Sequence, residues 1–198
     1  MPIREKLHLW PDPARYIHVP RGKGEYRSPG RFFNRIITLF RHGLKKDGRL
    51  DISVLKNLGL QKDYPLRKLI RSGFQWQHDP ADHMFRFRIE IPETHGALLR
   101  KNKQASGYRF TIILVYGSAM QEGKMQLKKM VSKEYPFSGT GKTDECLLEL
   151  PYTPEPGMHW LFCLRAECMA GGKIISYQGS RALQVLDEGK WEQVPGRL

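Results

Sequence analysis

The sequence predicts a mainly β protein with an N-terminal α segment: an antiparallel, immunoglobulin-like β-sandwich of about seven strands carrying a docked basic amphipathic helix. Three observations predict it. From Phe74 onward, apolar residues recur with a period of two, the period of a strand with one face in a core. The runs are separated by turn-forming stretches with no helical pattern between them, so no crossover of a parallel sheet is available. Before Gly73, in contrast, one long segment repeats apolar residues at helical spacing. The chain therefore divides into a basic, partly helical extension over 1–72 and a sandwich domain over 73–198.

The extension opens irregularly, because Pro2, Pro11, Pro13, Pro20, Gly22 and Gly24 interrupt every helix that could start there. Ser28 is a good N-cap and Pro29 suits a first helical turn. Phe32, Phe33, Ile36, Ile37, Leu39, Phe40 and Leu44 then follow until Asp47-Gly48 stops the run. At about 100° per residue those seven side chains fill an arc of roughly 160° on a helix over 29–46. The opposite arc holds Arg31, Arg35, Arg41, His42, Lys45 and Lys46 and no acid. Such a helix lacks i,i+4 acid–base pairs, so its charges repel one another unless an anion is present. Its apolar arc is of the size a helix needs to dock on a sheet. Further on, Ser53 is placed to cap a short helix through Leu58, and Pro65 to Ile70 suits one or two helical turns, with Arg67, Lys68 and Arg71 adding to the positive surface.

The strands follow in order. Gly73–Gln77 comes first, and Phe85, Phe87, Ile89 and Ile91 alternate with Arg86, Arg88 and Glu90 in the second. Tyr108–Tyr116 is apolar at nearly every position and reads as buried on both faces. Lys124–Lys133, Glu145–Leu150, Met158–Cys168 and Lys173–Leu186 complete the set, the last with a bulge expected at Gly179. The short series Leu114-Val-Tyr-Gly, Leu148-Glu-Leu-Pro, His159-Trp-Leu-Phe and Lys173-Ile-Ile-Ser-Tyr resembles the C-terminal sandwich half of uncharacterised bacterial proteins classed as domains of unknown function. That resemblance implies a fold and no activity.

Charge supplies the functional argument. The chain carries 33 Lys and Arg against 20 Asp and Glu, a net +13. Residues 1–72 hold 17 of the bases and 6 of the acids, so most of the excess belongs to the extension. A local field of that kind attracts polyanions. The expected function is a non-enzymatic binding module that engages a polyanion, DNA or RNA, through Arg21, Lys23, Arg27, Arg31, Arg35, Arg41, Lys45 and Lys46. The alternative is a structural or protein–protein interaction module in which the sandwich offers an edge strand and the basic region meets an acidic protein.

Other chemistry is not supported. Ser138-Gly-Thr-Gly-Lys-Thr143 looks like the end of a phosphate-binding loop, but Pro136 stands where its first glycine belongs and Pro151 cuts the segment that should open a helix. His78-Asp79 and Asp82-His83 could ligate a metal, yet such residues more often build turns. Cys163 and Cys168 fall on opposite faces of one strand and with Cys146 read as core thiols. No nucleophile context is present, and no cofactor or metal is expected. The longest apolar run, Ile112 to Tyr116, is far short of the ~18 residues of a membrane span. Three cysteines and a polar N-terminus make the cytoplasm the expected location.

Overall fold

A computed structural model describes residues 51–59, 65–100, 102–117, 126–139, 141–153, 157–175 and 179–191. The expected helix over 29–46 lies outside them. Among the described residues nine strands are present: β1 (Phe74–Asp79), β2 (Met84–Ile91), β3 (Gly107–Gly117), β4 (Gln126–Val131), β5 (Tyr135–Pro136), β6 (Asp144–Pro151), β7 (His159–Ala170), β8 (Lys173–Ile174) and β9 (Arg181–Lys190). Every pairing is antiparallel. A small sheet runs β1-β2-β6. A larger one is centred on β3 and β7, with β4 and β5 along the free side of β3 and β9 and β8 along that of β7. The two sheets form a sandwich. Among the described residues no helix is long and apolar enough to cross a membrane.

Six of the seven strands read from the sequence are present as single strands, and two differences have local causes. Lys173–Leu186 is not one strand. Gly179 takes a positive φ of 82° inside a turn, splitting the segment into β8 and β9. The bulge occurs instead at Leu186: Phe162 faces Asp187 while Cys163 faces Val185, leaving one residue over. The ninth strand, β5, is a two-residue pairing against Gly107 and Tyr108, too short to leave a periodic signal.

Inward-facing residues of the two sheets make one core. Phe85, Phe87, Ile89, Phe110, Ile112, Leu114, Trp160 and Phe162 are all buried, while Arg86 and Arg88 project from the opposite face of β2. An aromatic spine joins the layers: Phe85 stacks on Phe162 with ring centroids 4.8 Å apart and meets Trp160 edge-on at 5.0 Å. Gly189 lies opposite Trp160 in the register, and a Cβ there would run into the indole, so this position requires glycine.

Two 3-10 turns precede the strands. The first, Ile52–Leu55, is capped by Asp51, whose carboxylate accepts the Ser53 N–H at 3.0 Å; Ser53, the cap expected from the sequence, is the donor. Its continuation lies beside β9, with Asn57 N–H donating to Val185 and Val185 N–H donating to Leu58, both at 3.0 Å. The second turn, Leu66–Lys68, sends Leu66, Leu69 and Ile70 into the core. Residues assigned by composition to the extension thus complete the sandwich.

Truncating the spine should be severe. Phe85→Ala or Phe162→Ala is expected to lose about 3–5 kcal/mol in urea denaturation, whereas Leu147→Ala, at a position 54% exposed, should stay within about 0.5 kcal/mol of the parent.

Candidate polyanion-binding surface

Arg21, Lys23, Arg27, Arg31, Arg35, Arg41, Lys45 and Lys46 all lie outside the described residues. The described structure contains the last part of the same basic third of the chain and shows what it meets. Pro65 opens the second 3-10 turn, whose leucines point into the core, so Arg67, Lys68 and Arg71 are left at the surface. Backbone bonds tie this segment to a second one. Arg71 N–H donates to Ala97 at 2.7 Å, Leu99 N–H donates to Leu69 at 2.7 Å, and Ile70 bridges Leu98. The buried Tyr108 hydroxyl anchors the second segment by accepting the Ala97 N–H at 2.8 Å.

That second segment brings Arg100 and Lys103 alongside. The Arg100 guanidinium donates to the Lys103 carbonyl at 2.5 Å, and Asn102 makes a turn by accepting the Gln104 N–H at 2.8 Å. All five cations are exposed. Residues 65–73 and 96–107 contain no Asp or Glu, and among the described residues no carboxylate pairs with any of the five. Arg100 and Lys103 were missed from the sequence because they lie within the sandwich half. The signal that could have found them is the acid-free run Arg100-Lys-Asn-Lys-Gln.

Elsewhere several cations of the sandwich are neutralised by carboxylates. Arg86 is held by Asp79, Asp82 and Glu149 at 3.0–3.1 Å, Arg88 pairs with Glu145, Lys133 with Asp144, and Lys56 with Asp187. On the outer face of the larger sheet the buried Glu167 carboxylate lies between Arg109, at 3.1 Å, and Arg165, at 3.3 Å. Desolvation lowers the pKa of Arg165, which the Glu167 charge opposes.

The histidine–carboxylate stretch 78–83 does not converge. Asp79 accepts the N–H groups of Ala81 and Asp82, closing the turn, and both carboxylates are directed to Arg86. The Asp79 pKa is lowered, first by the Asp82 N–H and next by Arg86. His78 turns the other way: its ring stacks on Phe85 at 4.3 Å, and its Nε2 shares a 2.6 Å hydrogen bond with the Tyr152 hydroxyl. The three thiols are free and buried, Cys146 and Cys168 in the core and Cys163 on the opposite face of β7. Burial pushes the Cys163 and Cys168 thiols up to about 12 and about 11, which removes thiolate reactivity at neutral pH.

Neither a family model nor a curated protein matches the chain.

The half-buried imidazoles predict a pH dependence. Burial depresses the pKa of His78 against the pull of Asp187 and Asp79, and depresses that of His159 with help from Lys190. In the unfolded chain both take a proton near the ordinary 6.5, whereas the folded protein resists protonation to lower pH. The unfolded state therefore binds more protons, and stability present above 6.5 is lost as the pH falls below it. The urea midpoint should drop between about pH 7.5 and 5.5, and His78→Phe should flatten that drop. An unchanged slope would remove His78 as a cause.

Proposed function

We propose that the protein is a non-enzymatic binding module that engages a polyanion, nucleic acid in particular, through a surface in which the basic arc of residues 29–46 continues the cluster Arg67, Lys68, Arg71, Arg100 and Lys103. The observation that carries this reading is the contrast in charge pairing. Arg86, Arg88 and Lys133 of the sandwich are held by carboxylates, while two adjoining segments present five exposed cations with no acid in either. Unpaired cations repel one another, and a phosphate chain relieves that repulsion while releasing counterions. Arg21, Lys23 and Arg27, spaced among Tyr16 and Tyr26, would follow a backbone and stack on bases. We read the sandwich as immunoglobulin-like, a reading supported by three strands facing a sheet four strands wide, and as the sandwich half of the bacterial proteins of unknown function that it resembles. We read the protein as cytoplasmic, a reading supported by three cysteines that form no disulfide framework.

The protein-interaction alternative rests on a different observation. β1 ends the smaller sheet, and Leu147 is exposed on that sheet's outer face, a place where an added strand or apolar side chain finds a partner.

Fluorescence anisotropy of the full chain with labelled DNA and RNA over a salt series separates the two. Arg67→Ala, Arg71→Ala and Arg100→Ala should each weaken binding on all sequences alike and flatten the log K against log salt slope by about 0.9 for duplex DNA. Lys190→Ala, outside the cluster, should leave it unchanged. No binding at low salt, or slopes indifferent to the three substitutions, would reject nucleic acid and leave the protein-interaction reading.

A further inference from the structure

A sheet edge is a template for another strand, and folded proteins guard theirs with lysines, prolines, bulges or a covering segment. The edges of this sandwich are not guarded alike. β4, on one side of the larger sheet, carries Lys128 and Lys129. Residues 57–59 cover β9, hydrogen-bonding to Val185 and bridging Gln184. At β6, Lys133 Nζ reaches across to Asp144 at 2.7 Å and Lys128 Nζ donates to the Pro151 carbonyl at 3.4 Å. β1, the other end of the smaller sheet, has none of these devices among the described residues. Its six residues, Phe-Gln-Trp-Gln-His-Asp, include no Lys, Arg or Pro, and its register with β2 runs without a shift. The edge is aromatic as well. Phe74 and Trp76 lie on the core side of β1, with ring centroids 5.7 Å from Phe87 and 6.1 Å from Phe162, yet both are only half-buried.

We propose that β1 is a self-association edge: it pairs antiparallel with β1 of a second copy of this chain about a twofold axis at Trp76, joining the two smaller sheets into one of six strands. This rests on the protein-interaction reading of the same edge and names the partner. It is independent of the polyanion reading.

Side-chain pattern and charge select a second copy. In an antiparallel pairing centred on Trp76, that residue faces its own counterpart, Gln75 faces Gln77 of the second copy, and Phe74 faces His78 of the second copy. Aromatic rings then meet aromatic rings on the core side. On the outer side each exposed glutamine amide, a donor and an acceptor in one group, meets another. A net charge of +13 drives copies of this chain apart, so they can approach only where that charge is absent or neutralised. No Lys or Arg stands between Arg71 and Arg86, and on the outer face beside β1 both Arg86 and Arg88 are held by carboxylates. The two ends of the edge also complement each other. Exposed Arg71 precedes β1, whereas at its far end three carboxylates, those of Asp79, Asp82 and Glu149, share the one Arg86 guanidinium and leave that end acidic. Antiparallel pairing sets the start of each β1 beside the end of the other, so base meets acid twice.

Light scattering on the nuclease-treated full chain, at about 0.5 M salt to suppress polyanion contacts, should give twice the chain mass. Gln75→Lys combined with Gln77→Lys should give the single chain mass with the far-ultraviolet circular dichroism of the parent, since both positions are exposed and the twofold would crowd four ammonium groups together. Met130→Lys combined with Val131→Lys adds the same two charges at exposed positions of β4 and should leave the doubled mass. Cysteines read the register. Gln75→Cys mixed with Gln77→Cys should form an intermolecular disulfide about 10-fold faster than either variant alone, because directly opposed residues lie within disulfide reach and like positions are offset by two residues. This pair decides the matter should the lysine variant lose its fold. A parent chain of single mass at every concentration would overturn self-pairing and leave β1 to a strand of another protein. A doubled mass that survives the β1 lysines or falls equally with the β4 lysines, or equal cross-linking of mixed and single variants, would overturn it as well.

Discussion

The pairing of β3 with β7 is the constraint on which the rest of the molecule depends. Eleven consecutive partners, from Gly107 with Met169 to Gly117 with His159, fix which residues face the small sheet and which face away. Because side chains alternate, a slip of one residue would exchange Phe110, Ile112 and Leu114 for Arg109, Thr111 and Ile113 and place a guanidinium in the aromatic core. The register also sets Phe162 against Phe85, Tyr108 under Ala97, and Arg109 beside Glu167. The spine, the anchor of the 97–103 segment and the outer-face ion pairs are all consequences of one strand pairing.

Much of this was legible because it is local. Alternation in Phe85–Ile91 and near-continuous apolarity in Tyr108–Tyr116 each state how many faces of a strand are buried, and both hold. What could not be read is non-local. The split at Gly179 depends on a positive φ, which a glycine permits but does not demand. Asp51 rather than Ser53 caps the first turn, and since either side chain can serve, the sequence alone does not choose between them. Leu66, Leu69 and Ile70 enter the core although their segment is basic in composition, since turn geometry sorts leucines inward and cations outward whatever the net charge.

The candidate surface repeats that division. Arg67, Lys68 and Arg71 were recognisable as additions to a positive surface, but their alignment with Arg100 and Lys103 depends on the bridge between Ile70 and Leu98, which joins segments 28 residues apart. Conversely, Arg86 looks like a free cation when the strand is read alone, with glutamate as the nearest acid along the strand. The fold gives it three carboxylates, from the end of β1, the turn after it and β6. Charge in sequence therefore overstates charge in the field of the sandwich and understates it where two acid-free segments meet. The physically meaningful quantity is the charge left after strand pairing.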